Sequence, residues 1–136
     1  MSFIVYFVDI RLAAIRETRL PKHEPHPEIC RLLDCSEFVT VYSPDELTIF
    51  SAQHAQRPVW HGLANIQGIP ELIVGNIVIA GPHRGGSFQG PHLSINDVAQ
   101  KIELIRPLLD PVQVPGTERE QEFKIRISRQ RPFVQR

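Results

Sequence analysis

Apolar residues run unbroken from Phe3 to Val8 and then alternate with polar ones through Ile10, Leu12 and Ala14. A run of that length, rich in β-branched and aromatic residues, predicts a buried strand that continues with one face exposed. The prolines of Pro21–Pro27 mark a loop. Pro27 then suits the first turn of a short helix, Pro27–Leu33, with Ile29, Leu32 and Leu33 on one face. In Glu37–Ser51 polar and apolar residues alternate on either side of Ser43-Pro44-Asp45-Glu46, which predicts a hairpin with Pro44 at the second turn position. Gln53–Pro58 reads as linker. Val59–Ile66 and Glu71–Ala80 are further strands, the second interrupted by Gly75, a residue that marks a bulge.

The spacing of Ile95, Val98, Ile102, Ile105 and Leu109 predicts the principal helix, Ile95–Arg106, opened by Ser94 and Asp97 as a capping pair and closed ahead of Pro107. Asp110–Gln121 reads as linker. Phe123, Ile125 and Ile127 then alternate with Lys124, Arg126 and Ser128 as a half-exposed last strand. The pattern adds up to one α+β domain over residues 1–136. Its mostly antiparallel or mixed sheet has about five strands, covered by one or two helices. The basic segment from Ser128 to Arg136 is expected to be flexible.

Composition narrows the function more than the fold. Fifteen basic residues balance fifteen acidic ones in 136, so no global field draws the protein to nucleic acid or to an anionic membrane. The apolar start has no basic residue before it and meets Asp9 and Arg11 at once. It is too short for a signal peptide or a membrane span. The cytoplasm is the expected compartment, with Cys30 and Cys35 as reduced thiols.

Four constellations could carry chemistry. His23, His26, Cys30 and Cys35 are residue types that zinc accepts, but their order and spacing match no usual finger. They read as solvated histidines and packed thiols, so neither a metal nor another cofactor is expected. The glycine loop of Gly81–Pro91 holds His83, Arg84, Gly85 and Gly86, with His92 just beyond. Adjacent glycines let backbone N–H groups approach an anion, and Arg84 adds a fork of donors. The tripeptide Gly-Pro-His flanks this loop at 81–83 and again at 90–92. No nucleophile elbow or local triad occurs, so catalysis has no positive support. The last basic cluster, Lys124 to Arg136, reads first as the charged face of an edge strand.

The segment Ile29-Cys30-Arg31-Leu32, followed by Phe38–Val41, the turn Ser43-Pro44-Asp45-Glu46 and Leu47-Thr48-Ile49, resembles ACT-like domains of the amino-acid-sensor (CASTOR) type. Trp60, Gly68 and the apolar run to Ile79 extend the resemblance over about residues 1–80. The later valine-rich strand of that family is replaced here by Glu122–Ile127. The resemblance implies a homodimer with an amino acid or similar ligand at its interface. The expected function is therefore a non-catalytic regulatory domain binding a small polar ligand through Ser43, Asp45, Glu46, His83, Arg84, Gly85, Gly86 and His92. The alternative is a small protein-interaction module, an inhibitor or adaptor, without such a ligand.

Overall fold

A computed structural model describes residues 1–52, 62–83, 87–112 and 122–136, with the backbone alone for 109–112 and 122–123. Gln53–Pro58, the first part of Val59–Ile66 and the linker residues 113–121 lie outside the described residues. The elements are β1 (Ser2–Asp9), β2 (Ala14–Pro21), α1 (His26–Leu33), β3 (Phe38–Tyr42), β4 (Thr48–Ala52), β5 (Leu63–Ile66) and β6 (Ile73–Val74). They continue with β7 (Ile77–Ala80), α2 (Ile95–Gln100), β8 (Ile102–Val112), β9 (Glu122–Gln130) and β10 (Phe133–Gln135). The architecture is sheet-rich, with two short helices among the described residues.

Among the described residues the strands form two sheets, where the sequence pattern predicts one of about five strands. The larger has six, in the order β10-β2-β1-β7-β4-β3; the smaller has four, in the order β6-β5-β8-β9. All pairings are antiparallel except β10 with β2. The basic C-terminal stretch thus supplies the end of β9 and all of β10, whose Phe133 N–H also bonds to Ala13 O at 2.9 Å.

Strand alternation puts an apolar set on each face of the large sheet. Phe3, Val5, Phe7, Leu20, Phe50 and Val78 pack with Ile29 and Leu33 of α1. On the other face Tyr6, Val8, Ile15, Ile49, Ile77 and Ile79 meet Val98 and Ala99 of α2 and Ala64, Ile66, Ile102 and Leu104 of the small sheet. The layers are therefore α1, large sheet, then α2 beside the small sheet. Each fully buried large side chain in them contributes about 1.5–3 kcal/mol.

Local chemistry explains where the elements stop. Helix α1 has Pro in its first turn, and Asp34 closes it in the left-handed region at φ 53. There Asp34 N–H bonds to Arg31 O at 3.3 Å and Cys35 N–H to Cys30 O at 3.0 Å, the paired bonds that satisfy the last carbonyls of a helix. After β1 the chain turns. Asp9 Oδ1 accepts from the Arg11 and Leu12 N–H groups at 3.0 and 3.3 Å, and Ala13 sits at φ 52. The alternation through Ile10, Leu12 and Ala14 is therefore a turn, and β2 follows it as a new strand.

Two further expectations are corrected. Helix α2 starts at Ser94, whose Oγ accepts from Asp97 N–H at 3.2 Å, but it ends at Gln100. Residues 102–112 are a strand, because Ile102 and Leu104 are buried at a spacing of two and Pro107 disfavours a helical residue before it. Gly75, at φ +82, is no bulge. It is where the chain leaves the small sheet after β6 and enters the large one at β7. Asn76 anchors the crossing by accepting from Ile10 N–H at 2.9 Å.

Strand β8 pairs with β5 only as far as Ile105, then runs on with β9 alone among the described residues. Along this ribbon Ser128, Arg126 and Lys124 share the face of buried Leu104, while Ile127 and Ile125 lie on the opposite one. Both isoleucines are 55% exposed. Lys124 and Arg126 are exposed as well, so this stretch shows both faces to solvent and is not the half-exposed strand that its alternation predicts.

Candidate functional site

The Ser43–Glu46 turn forms as its proline and serine dictate. Glu46 N–H bonds to Ser43 O at 3.2 Å and Ser43 N–H to Leu47 O at 2.9 Å, while Ser43 Oγ accepts from Asp45 N–H at 3.1 Å. Glu46 takes the left-handed conformation, φ 60. Pro44 rests against Gly68, where an added Cβ would come within 2.8 Å of the proline ring. The turn is thereby pinned to the β5–β6 connection.

From this position Asp45 Oδ2 meets Lys101 Nζ at 3.1 Å. Lys101 is the residue at which α2 stops, and its carbonyl accepts from Gln67 N–H at 2.9 Å. Its side chain, 24% exposed, borders an open hollow of about 400 Å³ lined by Asn65, Gln67, Gln100, Lys101, Glu103 and Arg131. The lining is polar and carries both signs of charge. Arg131 donates to the Gln100 and Ile102 carbonyls, which fixes its guanidinium where α2 gives way to β8. Glu103 accepts from Arg129 at 3.0 Å. Such a set can address a carboxylate through its cations and an ammonium through its carboxylate and amides.

The glycine loop is built differently. Its neck is closed by Gly81 N–H bonding to Gln89 O at 2.8 Å. A Cβ on Gly81 would lie 2.1 Å from Gly90 O, and one on Gly90 2.8 Å from Ile4 O. The repeated Gly-Pro-His segments therefore bracket the loop with their glycines in backbone contact. Thr48 Oγ1 donates to Gly81 O at 2.8 Å, which holds the neck and the hairpin turn at the same end of the large sheet.

Beyond the neck, His83 turns to the α1 face. Its ring lies 4.5 Å from Phe88, at one end of a series that continues through Phe50 and Phe38 to His26, with neighbouring centroids 4.4–5.3 Å apart. His92 is exposed on the approach to α2, next to Leu93, whose carbonyl accepts from Tyr6 OH at 2.8 Å. Burial, with help from the Glu17 charge, pushes the Tyr6 phenol up. Arg84, Gly85 and Gly86 lie outside the described residues, as does Trp60. The predicted set thus divides. Asp45 reaches the hollow only through its ion pair with Lys101, whereas His83 belongs to the aromatic series on the far side of the large sheet.

Sequence reasoning missed Lys101 and Glu103, and took Arg131 only as part of the basic C-terminal cluster. Their signal was hidden because a helix drawn through to Arg106 leaves Lys101 and Glu103 as two solvated positions on its polar face.

The described residues hold no group of three or more His, Cys, Asp or Glu arranged to bind a metal ion. Cys30 and Cys35 are free thiols, and Cys30 Sγ lies 3.5 Å from Ser36 O. Burial pushes the Cys35 thiol up, and the neighbouring Cys30 adds to this. Less thiolate is present at a given pH, so Cys35 should react with iodoacetamide more slowly than a cysteine in a short peptide at pH 8. The gap should narrow as pH rises. Peptide mapping by mass spectrometry reads both rates, and equal rates at pH 8 would contradict the assignment.

Fold and site together define a two-sheet fold with a polar hollow of both charge signs, lined by residues of the small sheet, the end of α2 and the link from β9 to β10. No helix among the described residues is long and apolar enough to cross a membrane. No family model matches the chain, and no solved structure matches it. It is similar to Protein PsiB of Rhizobium leguminosarum bv. phaseoli, 23% identical over 104 residues, which is 76% of this chain and 78% of that protein.

Proposed function

We propose that this chain is a non-catalytic regulatory domain that binds a small polar ligand, with amino acids as the class that fits best. The observation that carries the reading is the hollow beside the Ser43–Glu46 turn. Lys101 and Arg131 offer cations, Glu103 a carboxylate, and Asn65, Gln67 and Gln100 amides. An amino acid presents the complementary pair of charges on one carbon. The Asp45–Lys101 ion pair joins the turn to the rim, so a ligand carboxylate that competes for Lys101 would loosen the turn from α2. The resemblance of residues 29–49 to amino-acid-sensor domains points the same way.

A thermal-shift screen against amino acids and nucleotides tests this. A ligand present at about 100 times its Kd adds about 2.7 kcal/mol, a shift of several degrees for a domain of this size. Lys101→Met should abolish the shift while leaving the fold intact. No response to any amino acid, or a response that Lys101→Met retains, would remove the hollow as the site. A second reading, a protein-interaction module, is favoured by the exposed Ile125 and Ile127.

A further inference from the structure

Helix α1 ends on a pair of thiols. Its last carbonyls are taken by the Asp34 and Cys35 N–H groups, and the bond from Cys35 N–H to Cys30 O is 3.0 Å long. With ordinary bond lengths the Cα atoms of the two cysteines therefore stand no more than about 7 Å apart, and a disulfide spans about 4.4–6.8 Å. In this kind of helix ending the two residues so joined also bring their side chains together, commonly as an apolar contact. Here both are cysteine. The two thiols are free and half-buried, and they are hydrogen-bonded to each other.

The surroundings hold the pair in place. Cys30 Sγ lies 3.5 Å from Ser36 O, and the Glu37 backbone bonds to the Cys35 sulfur. Ile29, Leu33 and Cys35 pack into the apolar layer of Phe38 and Phe50, which seats the helix end on the large sheet. Two apolar residues would serve this cap equally well, so the thiols add a chemistry that packing does not require. Among the described residues no third His, Cys, Asp or Glu joins them in a cluster, which leaves the pair short of the four ligands of a structural zinc.

We infer that Cys30 and Cys35 are a reversible redox site, a dithiol that closes to an intrachain disulfide by exchange with a low-molecular-weight disulfide such as oxidised glutathione. One cysteine thiolate attacks a sulfur of the small disulfide, forms a mixed disulfide and expels a thiolate. The other cysteine thiolate then attacks the protein-bound sulfur and expels the second. Two hydrogen atoms pass in all from the protein dithiol to the small disulfide, which leaves as two thiols. Excess small thiol reverses both steps. Closed, the bond ties the last turn of α1 to the segment leading into β3. In reducing compartments disulfides of this transient kind serve catalysis or sensing. The inference stands apart from the ligand reading, since neither thiol lines the hollow.

The test equilibrates the full chain with mixtures of reduced and oxidised glutathione, quenches in acid and measures the intact mass. The parent should convert to a species lighter by about 2 Da, two hydrogens, that outnumbers its glutathione adducts at least about tenfold. Trypsin cuts after Arg31, so the closed form should give two peptides joined across that cut, which part on reduction. Cys30→Ser and Cys35→Ser should each retain one glutathione instead. The parent alone supplies a further check. Its equilibrium constant for closure should fall at least about tenfold in unfolding urea, where the helix end no longer holds the thiols together. Glutathione on both cysteines without closure, a disulfide between chains, or no reaction at all would overturn the proposal. So would closure as favourable in urea as in the folded chain.

Discussion

Gly81→Ala should lower the unfolding free energy by about 2–4 kcal/mol, more than most single substitutions of a residue without a side chain. The added methyl would stand 2.1 Å from Gly90 O and 2.7 Å from its carbonyl carbon. Both are backbone atoms, so no side-chain rotation relieves the overlap. Gly90 cannot simply withdraw, because it is itself close against Ile4 O of β1. The neck must open. That sacrifices the Gly81–Gln89 hydrogen bond and strains the one from Thr48. Overpacking costs about 1–3 kcal/mol and each lost hydrogen bond about 0.5–1.5. Gly75→Ala is the control. Nothing lies within 4 Å of its added Cβ, and only its φ of +82 is unfavourable, a cost of about 1–2 kcal/mol. Urea denaturation followed by circular dichroism measures both. If Gly81→Ala costs no more than Gly75→Ala, the loop neck is not the rigid junction described.

The second large effect is expected at Val98. Its side chain is fully buried in the apolar core between the sheets. An aspartate at this position would have to keep an unpaired charge in an apolar site or take up a proton. Uncompensated buried charge costs about 3–5 kcal/mol, much of the 5–15 kcal/mol that stabilises a typical domain. Val98→Asp should therefore be marginally folded or unfolded at pH 7, with Val98→Ala much closer to the parent. The sign of the pH dependence follows from burial, which raises the folded-state pKa of the new carboxyl. The unfolded chain titrates near 3.9. Relative to the parent, the variant loses stability as pH rises through that value and regains it in acid. A Val98→Asp protein that melts with the parent at pH 7 would place α2 outside the core.

Elements whose signals are local were legible in the sequence. The β3–β4 hairpin follows from Ser43-Pro44-Asp45-Glu46, and α1 from Pro27 with Ile29 and Leu33 on one face. The start of α2 follows from Ser94 and Asp97. What failed was longer in range. Ile102 satisfies both a helical and a strand period. Only the demand of β5 for a partner, together with Pro107, decides for the strand. Strand β2 was hidden because Arg16, Glu17 and Arg19 make it read as polar, while Ile15 and Leu20 supply its buried contacts. The second sheet was hidden behind one glycine, Gly75, since a chain that changes sheets looks in sequence like a strand with a bulge. The site shared these limits. Asp45 was visible in its turn, whereas Lys101 gains its place only from the point where α2 ends.

The strand order of the large sheet also sets a timetable. During synthesis β1 and β2 leave the ribosome together and can pair at once, but the other neighbour of β1 is β7, which begins at Ile77. At about 5–20 residues per second this edge waits for seconds. The outer neighbour of β2 is β10, close to the end of the chain. Topologies dominated by such distant pairings fold slowly, because loop closure must be met before the contacts reward it. The nascent β1–β2 hairpin, with Phe3, Val5 and Phe7 not yet covered, is thus the form of this protein most exposed to misassociation, and refolding yield should fall steeply as concentration rises.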